Sequence, residues 1–126
     1  MRKLLWLVGV VAIFSTALHA EETGLDTDLM QSIEDTNKSL SSNIALQRVD
    51  ASISDANDLD KMFEVVEAHF VKKGNAADAV DLSKKSRQLS QDIIKLVNEK
   101  NFDTATSSAT ELSRACKSCH TFYKKE

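Results

Sequence analysis

The chain has no proline among its 126 residues, and beyond residue 20 it has only two glycines, Gly24 and Gly74. Tight turns between strands draw on Gly, Pro, Asn and Asp at fixed positions, and a β-sheet needs many such turns. A chain nearly stripped of that punctuation, and rich in Ala, Leu, Ser, Lys, Asp and Glu, has the means to build long helices and few means to build a sheet. The expected fold class is therefore all-α.

Apolar spacing divides the chain into four segments. Leu25, Leu29, Ile33, Leu40 and Ile44 recur at helical intervals, with Asp26 and Asp28 at the positive N-terminal end, and predict a first helix over about 25 to 46. Leu59, Phe63, Val66 and Phe70, flanked by Met62 and Val65, predict a second over about 55 to 73, stopped by Gly74-Asn75. Leu82, Leu89, Ile93 and Leu96 mark a third over about 77 to 99. A fourth starts near Phe102, with Asn101 as N-cap, and runs through Ala105, Ala109, Leu112, Ala115 and Cys116 toward Tyr123. Each segment has one apolar face. Four such helices with short connections pack most simply as an antiparallel up-down-up-down bundle, the longest connection falling at about Gln47 to Ser54.

The opening MRKLLWLVGVVAIFSTALHAEE reads as a secretory signal peptide: Arg2 and Lys3, an apolar run from Leu4 to Phe14, then small residues ending at Ala20. That run is shorter than the roughly 20 apolar residues of a spanning helix, so cleavage after Ala17 or Ala20 is expected rather than anchoring. A single domain over residues 21 to 126 remains, and losing Arg2 and Lys3 takes the formal charge from −3 to −5. Such an acidic balance argues against nucleic acid and anionic membranes as partners. Export points to an oxidising compartment, the periplasm. A disulfide between cysteines three apart would staple little chain there, so the pair calls for another explanation.

Both cysteines lie in RACKSCHTFYKKE at the C-terminus, where Cys116, Cys119 and His120 spell C-x-x-C-H, the attachment signature of haem c. Thiols at i and i+3 of a helix project from one face and can each add to one of the two haem vinyl groups. His120, four residues after Cys116, points over the same face as proximal iron ligand. A thioredoxin-like C-x-x-C needs a βαβ setting that the pattern lacks. A zinc site needs about four ligands, and in the mature chain expected from residue 21 onward His69 is the one further soft ligand outside the motif. On the far side of the iron, Met30 and His69 both fall near the bundle end where His120 lies, whereas Met62 is two turns removed.

The run QDIIKLVNEKNFDTATSSATELSRACKSCHTFYKKE resembles the C-terminal half of the cytochrome c′ family, the class II c-type cytochromes, in which C-x-x-C-H sits in the last helix. Met30, in DTDLMQSIEDTNKSL, is similar to the methionine near the start of the first helix in the six-coordinate, cytochrome c556-like members and in cytochrome b562. The short chain, with no long insertion between helices two and three, is nearer that branch. The resemblance implies an exported, non-enzymatic electron carrier with one covalent haem c. Its thioethers would be at Cys116 and Cys119, its axial ligands would be His120 and Met30, and its partner would be a redox protein met as monomer or homodimer. It leaves open a five-coordinate cytochrome c′-like binder of nitric oxide or carbon monoxide, and a haem-free helical binding module stands beside both. Ile33, Phe70, Leu82 and Tyr123 are candidates to pack on the macrocycle, and Lys84, Lys85 and Arg87 to face its propionates.

Overall fold

The computed structural model describes residues 25 to 123, with side chains through Thr121; the signal-peptide segment and the Tyr123 side chain lie outside that range. The described residues form four helices, α1 (Thr27–Ala45), α2 (Val49–Lys73), α3 (Ala77–Asn98) and α4 (Phe102–Tyr123). Each packs on its chain neighbour, and α1 closes the bundle against α4. Connections of about three residues force successive helices antiparallel, so the expected four-helix bundle is the fold observed.

Local chemistry sets the helix ends. The Asp26 carboxylate caps α1 by accepting the Asp28 N–H at 3.0 Å, and Asn101 Oδ1 caps α4 through the Thr104 N–H at 3.3 Å. Gly74 ends α2 with φ 73° and ψ 164°, a backbone region that is essentially glycine's own, and Asn75 follows at φ 52°.

The second helix begins six residues earlier than the apolar count predicts. Gln47 takes a left-handed φ of 54°, and its N–H and that of Arg48 bond back to Ile44 and Asn43 at 2.9 Å, which turns the chain in three residues. The face from Val49 through Ser52 and Ala56 to Leu59 then continues one stripe, with Ser52 and Ala56 fully buried. These small residues carry little hydrophobic signal. Ser52 also hides its polarity by donating to the Arg48 carbonyl at 2.7 Å.

The core runs the length of the bundle around Leu40, Ile44, Leu59, Ile93, Val97 and Leu112, all with virtually no exposed surface. Burial of each larger aliphatic stabilises by about 1.5 to 3 kcal/mol. Helix α3 turns Ala79, Ser83, Ser86 and Ser90 inward, and the three hydroxyls donate to the carbonyls four residues back at 2.7 to 2.9 Å.

Polar clips cross each interface. Asn43 donates to Asp55 at 2.8 Å between α1 and α2, Arg87 binds Asp60 at 2.9 Å and Glu67 at 3.2 Å between α2 and α3, Lys85 meets Glu111 at 2.6 Å between α3 and α4, and Asn37 donates to Ser113 at 2.8 Å between α4 and α1. The Lys85–Glu111 pair, with both side chains about half exposed, adds little stability, and the clips together fix register. Lys85 and Arg87, two of the residues suggested to face haem propionates, here pair with carboxylates on neighbouring helices. Lys84 makes no ion pair among the described residues.

Candidate functional site

The α4 helix carries the C-x-x-C-H motif on its last two turns. Cys116 and Cys119 are half-buried and face inward; His120 is exposed at the rim. Antiparallel packing brings this end of α4 beside the first turns of α1, where Met30 lies four residues after the Asp26 cap. The Asn37–Ser113 hydrogen bond sets the register. Stepping back seven residues along α1 and forward seven along α4 brings Met30 level with His120.

These four side chains line one crevice with Ile33, Phe63, Val66, Leu82, Ser83, Ser86 and Ala115, so every helix contributes to the wall. Met30, Cys116, Cys119 and His120 are thus brought together from opposite ends of the chain. Ile33 and Leu82 stand where the sequence suggests. Phe70 instead borders a separate, open depression of about 630 Å³ at the α2–α3 turn, which holds none of the sulfur or imidazole groups. Nor does His69 line the crevice: it is half-buried and sets its ring edge-on against Phe70, with centroids 5.1 Å apart at 85°.

Sequence reasoning missed Phe63, Val66, Ser83, Ser86 and Ala115 as wall residues. Phe63 and Val66 lie two turns and one turn before Phe70 on the same stripe and so carried a usable signal. The serines carried none, because their burial depends on the hydroxyls being satisfied within α3.

The two thiols of the crevice are uncharged. Burial, with a smaller push from Cys119, raises the Cys116 thiol to about 11, and burial likewise raises Cys119. Both are therefore protonated thiols at neutral pH, unlike the depressed thiols of redox-active C-x-x-C sites. Among the described residues no group of three or more His, Cys, Asp and Glu side chains is arranged to hold a metal ion, which leaves a four-ligand zinc site without a full set of donors.

The donor set suits haem. Two thiols stand one helical turn apart, an imidazole and a thioether sit at the same level, no carboxylate is in the wall, and the serine hydroxyls are already bonded. At about 30 Å³ the closed crevice has room for a water or two, not a macrocycle, so admitting one requires the walls to part. Helix α1 is the wall best able to move there, since Ile33 is its first buried residue and the turns before it are only partly covered.

Fold and crevice together define an all-α bundle with a sulfur-and-imidazole site at one end. No family model, no curated protein and no solved structure matches the chain. No described helix is long and apolar enough to cross a membrane.

Proposed function

We propose that the chain is an exported, periplasmic monohaem c-type cytochrome for electron transfer, with His120 and Met30 as axial ligands. The observation that carries this reading is the single crevice lined by Met30, Cys116, Cys119 and His120.

In this reading Cys116 and Cys119 would hold the group covalently, each through a thioether to one of its two vinyl groups, with no net oxidation. Thiols held protonated by burial disfavour disulfide exchange. The resulting attachment holds the cofactor irrespective of folding, which matters for a small core in an exported protein. When bound, haem c supplies a one-electron ferric/ferrous couple. His120 from α4 and Met30 from α1 would supply the ligands to its iron. Ile33, Phe63, Val66 and Leu82 keep water from the site and lower its dielectric. Saturated ligation leaves no place for a substrate, and a geometry shared by both oxidation states suits electron carriage rather than catalysis.

A five-coordinate binder of nitric oxide or carbon monoxide is the second reading. It is favoured by one observation: Met30 sits on α1 before that helix's first buried residue, where a ligand is held least firmly.

Acid-acetone treatment of the exported protein tests the covalent claim. Haem should stay on the polypeptide of the wild type and be lost from Cys116→Ala/Cys119→Ala. Haem that extracts freely from the wild type removes the c-type assignment, and a preparation without haem absorption leaves the helical binding module.

A further inference from the structure

Glu34 follows Ile33, a wall residue of the crevice, on the exposed side of α1. Its Oε1 binds Lys38 Nζ at 2.8 Å, with the two side chains 52% and 66% exposed. Its other oxygen has no partner among the described residues.

The Asn37–Ser113 register fixes what stands opposite. One turn before Asn37, Glu34 lies level with Cys116 and Lys117, and His120 lies one turn further toward the C-terminal end of α4. Helical side chains lean toward their own N-terminus. In antiparallel neighbours this leans Glu34 toward the level of His120 and His120 toward the level of Glu34, within reach of a rotamer change, while the hydrogen-bond partner of Glu34 in this structure is Lys38. Their charges are close enough to act on each other: the Glu34 carboxyl is held below its usual range mainly by the hydrogen bond and charge of Lys38, with a further contribution from His120.

An iron-bound imidazole uses one ring nitrogen and leaves the other as an N–H, which in well-ordered sites donates to a carboxylate, carbonyl or water. Resting on the haem reading, we infer that Glu34 is a positioning residue for His120, accepting the hydrogen bond of the imidazole N–H that does not face the crevice, while Lys38 binds the same carboxylate from the other side. A carboxylate acceptor fixes the ring plane and makes the imidazole a stronger donor to iron, which favours the ferric state and lowers the reduction potential. Lys38 opposes this by drawing charge from the carboxylate. Glu34 and Lys38 therefore form a relay through which the solvent-facing side of α1 sets the potential of a site it does not touch.

The test uses the holoprotein in a Met30→Ala background, which is five-coordinate if Met30 is the sixth ligand or if the sixth position is open, so that the ferrous iron–histidine stretching band can be read. Glu34→Ala should shift that band to lower frequency and raise the reduction potential. Glu34→Asp, which keeps the charge but withdraws the carboxylate by one methylene, should behave like Glu34→Ala. Lys38→Met should shift both observables the opposite way. The frequency shifts should persist in about 1 M salt, where the screening length is about 3 Å, because a hydrogen bond is not screened as a distant surface charge is. An unchanged band in Glu34→Ala, a Glu34→Asp variant indistinguishable from the parent, or shifts abolished by salt overturns the inference while leaving the haem assignment standing. Absence of haem absorption in the parent protein overturns both.

Discussion

Met30→Ala separates a ligand from a core side chain. Met30 is half-buried, lines the crevice, and packs against the central cluster. Truncating a fully buried methionine costs about 2 to 5 kcal/mol, and for a half-buried one about 1 to 2 kcal/mol is expected. In a domain of this size each kcal/mol lowers the melting temperature by about 4 to 8 °C, so packing loss alone predicts a fall of roughly 5 to 15 °C. Met62, also half-buried and packed on the same cluster but outside the crevice, is the matched control and should lose a comparable amount. The two variants should part in their ferrous absorption spectra, recorded cold. Met30→Ala should turn high-spin and bind carbon monoxide rapidly, whereas Met62→Ala should keep the low-spin spectrum and slow binding of the wild type. Identical spectra in the two variants, or conversion to high spin by His69→Ala instead, would refute Met30 as the sixth ligand.

Three further outcomes follow from particular residues. In protein made without haem, a Cys116 thiol at about 11 is roughly one part in a thousand thiolate at pH 8, against about one in four for an ordinary thiol, so alkylation should be slow, quicken as pH rises, and become fast in denaturant. Fast alkylation of the folded chain at pH 8 would contradict the burial of that thiol. Gly74→Ala meets nothing within 4 Å but must adopt φ 73° and ψ 164°, so it should cost about 1 to 3 kcal/mol, read as a lower denaturant midpoint with an unchanged slope. The buried Asn37 Oδ1 has no partner, so Asn37→Leu with Ser113→Ala should be nearly neutral or stabilising by calorimetry, while Ser113→Ala alone, which strands the Asn37 amide, should cost about 1 to 3 kcal/mol.

The bundle was legible in the sequence where large apolar residues mark an inward face: Ile33, Leu40 and Ile44 in α1, or Leu59, Phe63, Val66 and Phe70 in α2. Legibility failed where small residues do the packing. Val49, Ser52 and Ala56 continue the α2 face for two turns, yet serine inside a helix is recognisable as core only once its hydroxyl is seen to bond the carbonyl four residues back. The same blindness hid Ser83 and Ser86 from the crevice wall. The motif on α4 was readable because its chemistry is local, three residues on one helical face. The place of Met30 opposite His120 depends on register, and register is set by Asn37 and Ser113, which are 76 positions apart in sequence. Lys85 and Arg87 show the opposite limit: a basic run does not reveal which carboxylates will face it, and here Glu111, Asp60 and Glu67 do.

The account stands most directly on one measurement, the absorption spectrum of the reduced exported protein before and after addition of carbon monoxide. A covalent haem held by His120 and Met30 predicts sharp, low-spin, six-coordinate bands that carbon monoxide alters only slowly, because the thioether must leave first. A high-spin spectrum that converts at once on mixing would contradict the electron-transfer assignment, and a spectrum with no haem bands would contradict the cofactor itself.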